Sequence, residues 1–580
     1  MQNSFGANLL RAGSLVVLVA LALLNPLLAS GQVTAVTANA FLNTLGVNTH
    51  IAQGTGWATY TNSLTYTGIR NIRDGNQGSL TLSHYVSLYQ ATGVKVDIVG
   101  GNMTSVVSIC TGLATNGALL SIEGPNEPNN QTITYDGATG GGTFSWVPVA
   151  EYQRDLFSNV VNSAILSNYP VFNVSEGGAE IDDVGLQFNA IPIGSGIAMP
   201  DGTQYANYAN PHNYVSGNCK DWVDNAAWWA EEPTFTTNCV DGLYGEYGVT
   251  WKEGYTGYVT NQLETLPRVT TETGWPTAVV DGALTQDQQG KLYINVYLDA
   301  YIRGWSYTFI YEMYDNQGGT YYGGFYDTSK VAKLSAIYLH NFTTILADAS
   351  TFTPGSMNYT IPNQPATVHS LLLQKGNGTL YLVIWDERTN ATDNVTANLG
   401  ATCPTVNVYD PTVGTNVTQV LSNVNSVALS LSDHALILGI AGYDSVGDGI
   451  TDWWRAQYFG GTGATTNSQS CATCDPDGDG QNNLAEFLAG TNPTNSASVF
   501  HITSVTPQGT NMVVTWQTAG GHTNVVQAAT GLGAGSYATN FTDISPYIII
   551  AGSGDTATNY VDWSGATNSP SRYYRVRLQP

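Results

Sequence analysis

The sequence predicts a multidomain protein in which a (β/α)8 barrel is followed by an all-β sandwich, a short module with an acidic loop and a small C-terminal β-sandwich. Its 580 residues suffice for about four domains of roughly 150 residues. From about residue 40 to residue 350, short apolar strands alternate with longer amphipathic stretches, as in repeated βα units with a parallel sheet. Beyond residue 350 the helical patterns stop. The predicted segments are 1–31 (export signal), 32–350 (barrel), 351–441 (sandwich), 442–499 (acidic-loop module) and 500–580 (C-terminal β domain).

Eight strands support the barrel, and helical patterns fall between most of them. The helix before the last strand is clearest, because Thr285 and Gln288 form a capping box and Gly304 stands where the helix should end. An open doubly wound sheet is the alternative, but no Gly-rich phosphate loop follows the first strand. The predicted strands are Leu45–His50, Ile69–Asp74, Val94–Gly100, Leu119–Glu123, Val171–Ser175, Ala206–Tyr214, Arg268–Thr273 and Tyr307–Tyr314.

The charge balance makes nucleic acid an unexpected partner. The chain has 43 acidic residues against 18 Lys and Arg, a formal net charge of −25. No basic cluster is dense enough to follow a phosphate backbone or an anionic lipid surface. Charged residues are only 11% of the chain, with Thr, Asn, Ser, Gly and Tyr in their place. Such a surface suits an extracellular protein that acts on neutral, hydroxylated molecules.

The first 31 residues have the three parts of a secretory signal peptide. Arg11 supplies positive charge, Leu15 to Leu24 form an apolar run, and Ala29-Ser30-Gly31 offers small residues for cleavage. An uncleaved membrane anchor is the alternative, which the short run and the following Pro26 disfavour. No later segment approaches the roughly 20 apolar residues that a membrane span needs. We therefore expect a secreted, extracellular protein without a membrane span.

Two glutamates close strands at the end of the barrel where such folds carry their chemistry. The fourth strand leads into Asn126-Glu127-Pro128, and the seventh ends at Glu272, followed by Gly274-Trp275-Pro276. At these motifs the sequence resembles the clan A glycoside hydrolases, which have an acid/base glutamate after strand four, in an Asn-Glu-Pro motif, and a nucleophilic glutamate after strand seven. The resemblance covers the whole barrel. It implies that Glu127 is the general acid/base and Glu272 the nucleophile.

Hydrolysis of a glycoside with retention of configuration needs two carboxyl groups about 5 to 5.5 Å apart, one protonated and one ionised. We therefore expect burial, or the charge of the nucleophile, to raise the pKa of the acid. We expect hydrogen-bond donors to keep the nucleophile ionised. No metal or other cofactor is expected for catalysis.

The resemblance also implies residues that support the two glutamates. Arg73 matches the arginine beside the nucleophile, and Asn126 matches the residue that holds the sugar 2-hydroxyl. His212 and Tyr214 resemble a His-x-Tyr motif whose tyrosine hydrogen-bonds the nucleophile. Trp275 is the predicted platform for a sugar ring, because flat aromatic faces suit pyranose stacking.

Each of these assignments has a plainer alternative. The two glutamates could lie in an ordinary turn and at the surface. Arg73 could pair only with Asp74 or Asp97, and His212 could be a satisfied core histidine. Glu123 is expected to lie lower in the barrel.

The favoured function is a secreted retaining β-glycoside hydrolase that cleaves a polysaccharide such as a β-glucan, a xylan or a related glycan. Gly274-Trp275-Pro276 also resembles a motif of the β-1,3-glucanases of the same clan. The alternative is a non-catalytic carbohydrate-binding or adhesion protein on a barrel scaffold, because a fold alone does not establish activity. The presence of both glutamates favours the enzyme.

Two β domains are predicted after the barrel. Strand-like patterns from residue 368 to residue 440, with the turn Gly376-Asn377-Gly378, resemble the C-terminal sandwich that many clan A enzymes pack against their barrel. The resemblance implies a bracing role. The last segment alternates at Val513–Trp516 and Tyr574–Leu578 and resembles a small fibronectin type III-like or immunoglobulin-like sandwich.

An acidic loop carries the strongest metal signal in the chain. Residues 475–486 place side-chain oxygens at loop positions 1, 3, 5, 9 and 12, a backbone carbonyl at position 7 and glycine at position 6, which is the full EF-hand spacing. The spacing predicts a structural Ca²⁺. The predicted ligands are Asp475, Asp477, Asp479, Gln481 through its carbonyl, Asn483 and Glu486.

Residues 444–455 form a degraded copy of this loop. Val446 removes the ligand at position 3, and Arg455 stands where a bidentate glutamate belongs. The two loops together resemble the extracellular calcium repeats of dockerin and thrombospondin type 3 modules. The aspartates of the copy could complete a shared site or only cap the following helix.

The six cysteines suit disulfides in an exported protein. Cys219 and Cys239 lie in one long insertion between strands six and seven and are the predicted pair. Cys471 and Cys474 precede the acidic loop. A Cys-x-x-Cys could also be a metal or redox site, but the chain has no second pair for zinc and no thioredoxin-like context.

Overall fold

The structure of the protein is a computed structural model. It describes residues 32–579 except 77–78, 129, 143, 146, 176–202, 211, 213, 215–265, 279–282, 316–320, 389–390, 533 and 568–570. The predicted export signal and the predicted Cys219–Cys239 disulfide lie outside the described residues. Among the helices of the described part, none is long and apolar enough to cross a membrane.

The described part of the chain contains nine α-helices and twenty-four strands. The helices are α1 (Ala38–Leu42), α2 (Trp57–Thr67), α3 (Ser79–Thr92), α4 (Met103–Thr115), α5 (Val147–Val161), α6 (Gln286–Ile302), α7 (Leu334–Leu346), α8 (Asp452–Phe459) and α9 (Asn483–Ala489). The strands are β1 (Val33–Thr34), β2 (Val36–Thr37), β3 (Leu45–Asn48), β4 (Asn71–Asp74), β5 (Lys95–Ile98), β6 (Leu119–Glu123), β7 (Ile133–Tyr135), β8 (Ala138–Gly140), β9 (Val171–Phe172), β10 (Arg268–Thr273), β11 (Trp305–Ile310), β12 (Ser356–Met357), β13 (Val368–Gln374), β14 (Leu380–Asp386), β15 (Asp393–Tyr409), β16 (Val417–Leu431), β17 (Ala435–Ala441), β18 (His501–Gln508), β19 (Asn511–Ala519), β20 (Thr523–Thr530), β21 (Thr542–Asp543), β22 (Ile548–Ile549), β23 (Asp555–Asp562) and β24 (Arg572–Gln579).

Seven strands of the first domain form one parallel sheet in the order β10-β11-β3-β4-β5-β6-β9. Two isolated parallel bridges, Phe172 with Tyr208 and Ala209 with Arg268, lie between the edge strands β9 and β10. The predicted sixth strand is therefore at its expected place, although the described residues show only these bridges there. The result is a nearly closed parallel barrel, as predicted.

The barrel strands change from apolar to polar at their C-terminal ends. Leu45 and Val47 on β3 and Ile72 on β4 are buried in the main core. Arg73 and Glu123, at or next to the ends of β4 and β6, are also buried. The alternation of strand and helix thus gathers polar side chains at the mouth of the barrel, where active sites of this fold lie.

Helix α6 begins as predicted and fixes the loop that follows β10. The Gln288 N–H donates to Thr285 Oγ1 at 3.2 Å, and the Thr285 N–H donates to Gln288 Oε1 at 3.0 Å, which completes the capping box. One turn further on, the Gln289 amide donates to the carbonyl of Trp275 at 2.9 Å. The helix ends at Ile302, and its C-cap Arg303 is followed by Gly304 in a left-handed conformation.

The second domain has a six-stranded sheet in the order β16-β15-β17-β14-β13-β2, and β1 pairs with β12. Residues 33–37 therefore join the sheets of this domain, although the sequence pattern grouped them with the barrel. Leu371 and Leu373 pack into the barrel core, whereas Leu372 between them faces the domain's own core, as strand alternation requires. The sheet thus braces the barrel on one face.

The acidic-loop module contains α8, α9 and a disulfide. Cys471 and Cys474 are joined, with their Cα atoms 5.1 Å apart. This bond accounts for the Cys-x-x-Cys sequence without a metal. Cys110 and Cys403 are buried free thiols.

The C-terminal domain contains two sheets. One has the order β18-β19-β23, and in the other β20 pairs with β21, β22 and β24. Val514, Trp516 and Val526 form its core. The two packed sheets agree with a small β-sandwich, and the likeness to fibronectin type III or immunoglobulin domains stays a prediction.

Candidate functional site

Arg73 links three strand ends at the mouth of the barrel. Its Nε and Nη2 donate to the two carboxylate oxygens of Glu123, each at 2.7 Å. Its Nη1 donates to Glu272 Oε1 at 2.6 Å, and Nη2 also donates to Asn126 Oδ1 at 2.7 Å. Its hydrogen bonds therefore go to these three residues and not to Asp74. The planar fork of arginine suits such paired acceptors, because it presents several donors in fixed directions.

Two carboxylates keep this buried guanidinium charged. Burial alone would lower the pKa of Arg73, but the charges of Glu123 and Glu272 hold it above its ordinary value. Burial would raise the pKa of Glu123, yet the contact with Arg73 lowers it. Glu123 lies fully buried below the mouth, as expected from the sequence.

Glu272 has a hydrogen-bond donor at each carboxylate oxygen. Arg73 binds Oε1, and the Tyr214 hydroxyl donates to Oε2 at 2.8 Å. The Thr270 hydroxyl donates to the carbonyl of Glu272 at 2.8 Å and anchors the end of β10. These contacts fix the direction of a carboxylate whose residue is only 8% exposed.

Glu127 lies four residues beyond β6 in a turn with a left-handed backbone, at φ 39°. This conformation is costly for a residue other than glycine and is typical of functional sites. The N–H groups of Asn130 and Gln131 donate to its carbonyl at 2.9 and 2.7 Å and support the turn. The turn directs the Glu127 side chain to His212, whose Nδ1 lies 2.7 Å from Oε1.

The pKa of Glu127 is shifted in the direction opposite to that expected for the acid. Burial would raise this pKa, but the hydrogen bond to His212 and the charge of His212 lower it to about 2, with help from Asn130. The expectation of a raised pKa is therefore wrong for this carboxylate, because His212 lies in hydrogen-bond contact with it. The sequence placed His212 in the site but did not indicate this contact.

The hydrogen bonds around His212 indicate where its protons lie. Its Nε2 is 2.9 Å from Thr271 Oγ1, and that hydroxyl also faces Glu123 Oε1 at 3.2 Å and Asn210 Oδ1 at 3.0 Å. The Thr271 hydroxyl has one hydrogen for these two acceptors, so it accepts from the Nε2–H of His212. The remaining nitrogen, Nδ1, then shares one proton with Glu127.

The two candidate catalytic carboxylates lie close together. An oxygen of Glu127, a ring nitrogen of His212 and an oxygen of Glu272 are all within 4.8 Å of one another. Such a trio could also bind a metal ion. The Arg73 guanidinium, 2.6 Å from Glu272, disfavours a second cation at this position.

A cavity of about 320 Å³ opens at the barrel mouth and is lined by Arg73, Asn126 and Glu272. A second cavity of about 490 Å³ shares His50 and Gln53 with the first. Together they form an extended cleft. The lining of the first cavity is mainly polar, whereas that of the second is more apolar than polar. The sequence analysis missed His50, although its position at the end of the first predicted strand was a usable signal.

Trp275 is not among the described residues that line these cavities. It is half-buried, and its side chain packs against the barrel core. The aromatic residues in the linings are Tyr311 in the first cavity and Tyr60 and Tyr314 in the second. The stacking role of Trp275 stays a prediction.

The predicted calcium loop is folded with its oxygens converging. Carboxylate oxygens of Asp475, Asp477 and Asp479 lie within 4.8 Å of one another. Four buried oxygens of the predicted ligands have no hydrogen-bond partner in the described part of the chain. They are Asp477 Oδ2, Asp479 Oδ2, Asn483 Oδ1 and Glu486 Oε2. Unsatisfied buried oxygens are costly, so this donor set fits a hard cation.

Two further contacts shape the calcium loop. The Asn483 amide donates to the carbonyls of Gln469 and Cys471, both at 2.7 Å, which leaves its oxygen directed elsewhere. Burial, followed by the charges of Asp477 and the other loop aspartates, raises the pKa of Glu486 to about 8. A bound cation would reverse this shift, because it stabilises the ionised form.

The chain was compared with protein families, curated proteins and solved structures, and only the solved structures gave matches. No protein-family model and no curated protein matches the chain. It is similar to the structure of a family 39 glycoside hydrolase from Bacteroides cellulosilyticus WH2, with a TM-score of 0.44 and 13% identity over 70% of this chain and 82% of that one. A family 30 subfamily 8 xylanase from Clostridium acetobutylicum has a TM-score of 0.41 and 11% identity over 71% and 97% of the two chains. An endo-laminarinase from Formosa Hel1_33_131 has a TM-score of 0.35 and 13% identity over 60% and 91%.

Proposed function

We propose that this protein is a retaining β-glycoside hydrolase that cleaves a polysaccharide with Glu272 as nucleophile and Glu127 as general acid/base. The observation that carries the proposal is the pairing of the two carboxylates, which have oxygens within 4.8 Å of each other and different partners. Retaining enzymes need a spacing of about 5 to 5.5 Å between the two groups, whereas inverting enzymes need about 6.5 to 9.5 Å. The separation of the two groups in this protein is below the inverting range and close to the retaining one.

Glu272 is suited to the nucleophile's task. Arg73 and Tyr214 each donate to one of its oxygens, so the group accepts as a carboxylate. Because both donors are held by the barrel, the carboxylate is directed at the cleft before a substrate binds. An arginine beside it also stabilises the negative charge that returns when the glycosyl–enzyme ester breaks.

Glu127 supplies the proton through its pair with His212. One proton lies between Glu127 Oε1 and His212 Nδ1, and it can be drawn to the carboxylate when a glycosidic oxygen arrives. In the first step the ester bond from Glu272 to the anomeric carbon forms, the glycosidic C–O bond breaks, and Glu127 protonates the leaving oxygen. In the second step Glu127 takes a proton from water, whose oxygen displaces Glu272.

The cleft supports a chain-like, hydroxyl-rich substrate. Its two adjoining cavities, about 320 and 490 Å³, extend away from Glu272, and Glu127 is not among the residues that line them. Their polar side chains, among them Asn126, His50 and Gln53, can bind hydroxyl groups. A β-glucan, a xylan or a related glycan fits this chemistry.

Ca²⁺ is proposed as a structural ion of the 475–486 loop. Asp475, Asp477, Asp479, Asn483 and Glu486 would hold it through side chains, and Gln481 would hold it through its carbonyl. The buried oxygens without partners in this loop support the assignment. The site belongs to a separate module, so the ion takes no part in the hydrolysis.

The test is a screen of the mature protein against a panel of polysaccharides, with product sizes resolved. We expect soluble oligosaccharides from at least one β-linked glycan and none from Glu272→Gln, which keeps the shape but loses the nucleophile. Binding of a glycan without any hydrolysis by the unsubstituted protein would instead support the non-catalytic alternative.

A further inference from the structure

The 444–455 loop shares three hydrogen bonds from backbone N–H groups to aspartate side chains with the calcium loop. In each loop the aspartate at position 1 accepts the N–H groups of positions 4 and 6. The distances are both 2.8 Å at Asp444 and are 2.8 and 3.0 Å at Asp475. In each loop the aspartate at position 5 accepts the N–H of position 7, at 3.2 Å for Asp448 and 2.7 Å for Asp479.

The glycines of the two loops match as well. Those at position 4 both have φ 76°, and those at position 6 have φ 91° and 94°. Position 4 is Gly447 in one loop and Gly478 in the other, and position 6 is Gly449 or Gly480. The left-handed backbone at these points favours glycine. The degraded loop is therefore folded as a calcium loop despite its missing ligands.

Position 12 is where the loops differ. In the calcium loop Glu486 is buried there, beside three aspartates. In the degraded loop the side chain of Arg455 is 1% exposed, and its Nη2 lies 2.6 Å from the position 5 carboxylate of Asp448. Its Nη1 lies 3.8 Å from Asp452, the position 9 residue.

The other two nitrogens of Arg455 also have a hydrogen-bond acceptor each. Nη1 donates to the carbonyl of Gly463 at 2.8 Å, and Nε donates to the carbonyl of Ser470 at 3.1 Å. Two carboxylates and two carbonyls around the guanidinium offset the cost of burying its charge. Its positive charge lies against carboxylates at loop positions that would bind Ca²⁺ in an intact EF-hand loop.

The acidic charge in the two loops agrees with this difference. The 475–486 loop has four carboxylates and no Lys or Arg, whereas the 444–455 loop has three carboxylates and Arg455. The first loop needs an external cation to offset its charge, and the second contains its own.

We propose that the guanidinium of Arg455 is the permanent cation of the 444–455 loop, so that the module binds one Ca²⁺, and that this loop becomes a second calcium site when position 455 carries a carboxylate. The proposal rests on calcium binding by the 475–486 loop. With Arg455→Glu, ligands would be present at positions 1, 5, 7, 9 and 12, and only position 3, Val446, would contribute none.

The test is the calcium stoichiometry of the full mature chain, after removal of metal, by isothermal titration and elemental analysis. We expect one Ca²⁺ in the unsubstituted protein, two in Arg455→Glu, and one in Arg455→Met, which removes the charge without adding a ligand. In Arg455→Glu with Asp475→Ala the number should return to one. The melting temperature of Arg455→Glu in chelator should be low and should rise on adding calcium.

The outcomes separate the two proposals. No calcium in the unsubstituted protein would refute the 475–486 site itself. Two ions in the unsubstituted protein would show that Arg455 does not occupy the second site. The Arg455 proposal would also be refuted if Arg455→Glu bound one ion and calcium raised its melting temperature no more than that of Arg455→Met. The assignment of calcium to the 475–486 loop would then still hold.

Discussion

Tyr214 is the only described neighbour of Glu272 that donates a hydroxyl hydrogen bond to its carboxylate, at 2.8 Å. A hydrogen bond to a charged group contributes about 1.5 to 3 kcal/mol. In the proposed mechanism this bond orients the nucleophile.

Tyr214→Phe should therefore lower kcat/KM by about 10- to 100-fold, since about 1.4 kcal/mol corresponds to a factor of ten. Steady-state kinetics on the best glycan from the screen measures this loss. Tyr321→Phe is the matched control, because the buried Tyr321 hydroxyl has no hydrogen-bond partner in the described residues and its ring lies 6.1 Å from that of Tyr214. Equal losses in the two variants would contradict the role of Tyr214.

The loss of activity on replacing His212 should be larger for substrates whose leaving group needs a proton. General acid catalysis contributes about 10²- to 10⁴-fold. His212→Ala should therefore lower kcat/KM strongly on an alkyl glycoside or a polysaccharide and far less on an aryl glycoside with a good leaving group. The same loss on both kinds of substrate would show that His212 acts only on the fold.

The sequence predicted which residues form the site. It did not predict the pKa of the acid. Arg73, Asn126, Glu127, His212, Tyr214 and Glu272 all come together, because strand ends of a barrel meet at one mouth. The pKa of Glu127 could not be predicted, since it depends on a 2.7 Å contact to a residue 85 positions away. Trp275 follows a strand end too, yet its side chain packs against the core.

At the level of elements, α6 connects the active-site loop with the second domain. Its Gln289 holds the carbonyl of Trp275, and about three turns further on Asp299 accepts the indole N–H of Trp385 on β14 at 3.1 Å. Periodicity predicted both α6 and β14, because capping and alternation are local signals. Their contact depends on tertiary packing and left no local signal.

Asp299 predicts a pH dependence of this contact. Burial raises its pKa to about 8, although the hydrogen bonds to Trp385 and Glu387 lower it. The folded state therefore keeps a proton that the unfolded state releases from about pH 4. The contribution of Asp299 to the free energy of unfolding is present below about pH 4, declines as pH rises, and is lost above about pH 8.

Chemical denaturation at pH 5 and pH 9 measures this effect. Asp299→Asn keeps an acceptor for Trp385 and cannot ionise, so the decrease in the free energy of unfolding between the two pH values should be smaller than in the unsubstituted protein. An identical decrease in both proteins would show that Asp299 does not titrate in this range.

For the whole molecule, calcium should stabilise the C-terminal modules selectively. An ion bound by the folded 475–486 loop and hardly by the unfolded chain raises stability by mass action. Calorimetry with calcium and with chelator should show a higher melting temperature for the transition of these modules and little change for the barrel.

Hydrolysis should persist in chelator, because the active site lies in a different domain. Loss of hydrolysis on chelation, with the barrel still folded, would contradict the structural role of calcium. Asp475→Ala is the matched control and should remove the calcium effect on melting without changing kcat.

The two-glutamate double displacement is tested most directly by the stereochemistry of azide rescue in Glu127→Ala. With an activated aryl β-glycoside the first step needs no proton, so the glycosyl ester on Glu272 should form and accumulate. Added azide should then attack from the face that water would use, restore turnover, and give a glycosyl azide of the β configuration by NMR. An α-configured azide, or full activity of Glu127→Ala on polysaccharide, would contradict the proposed mechanism.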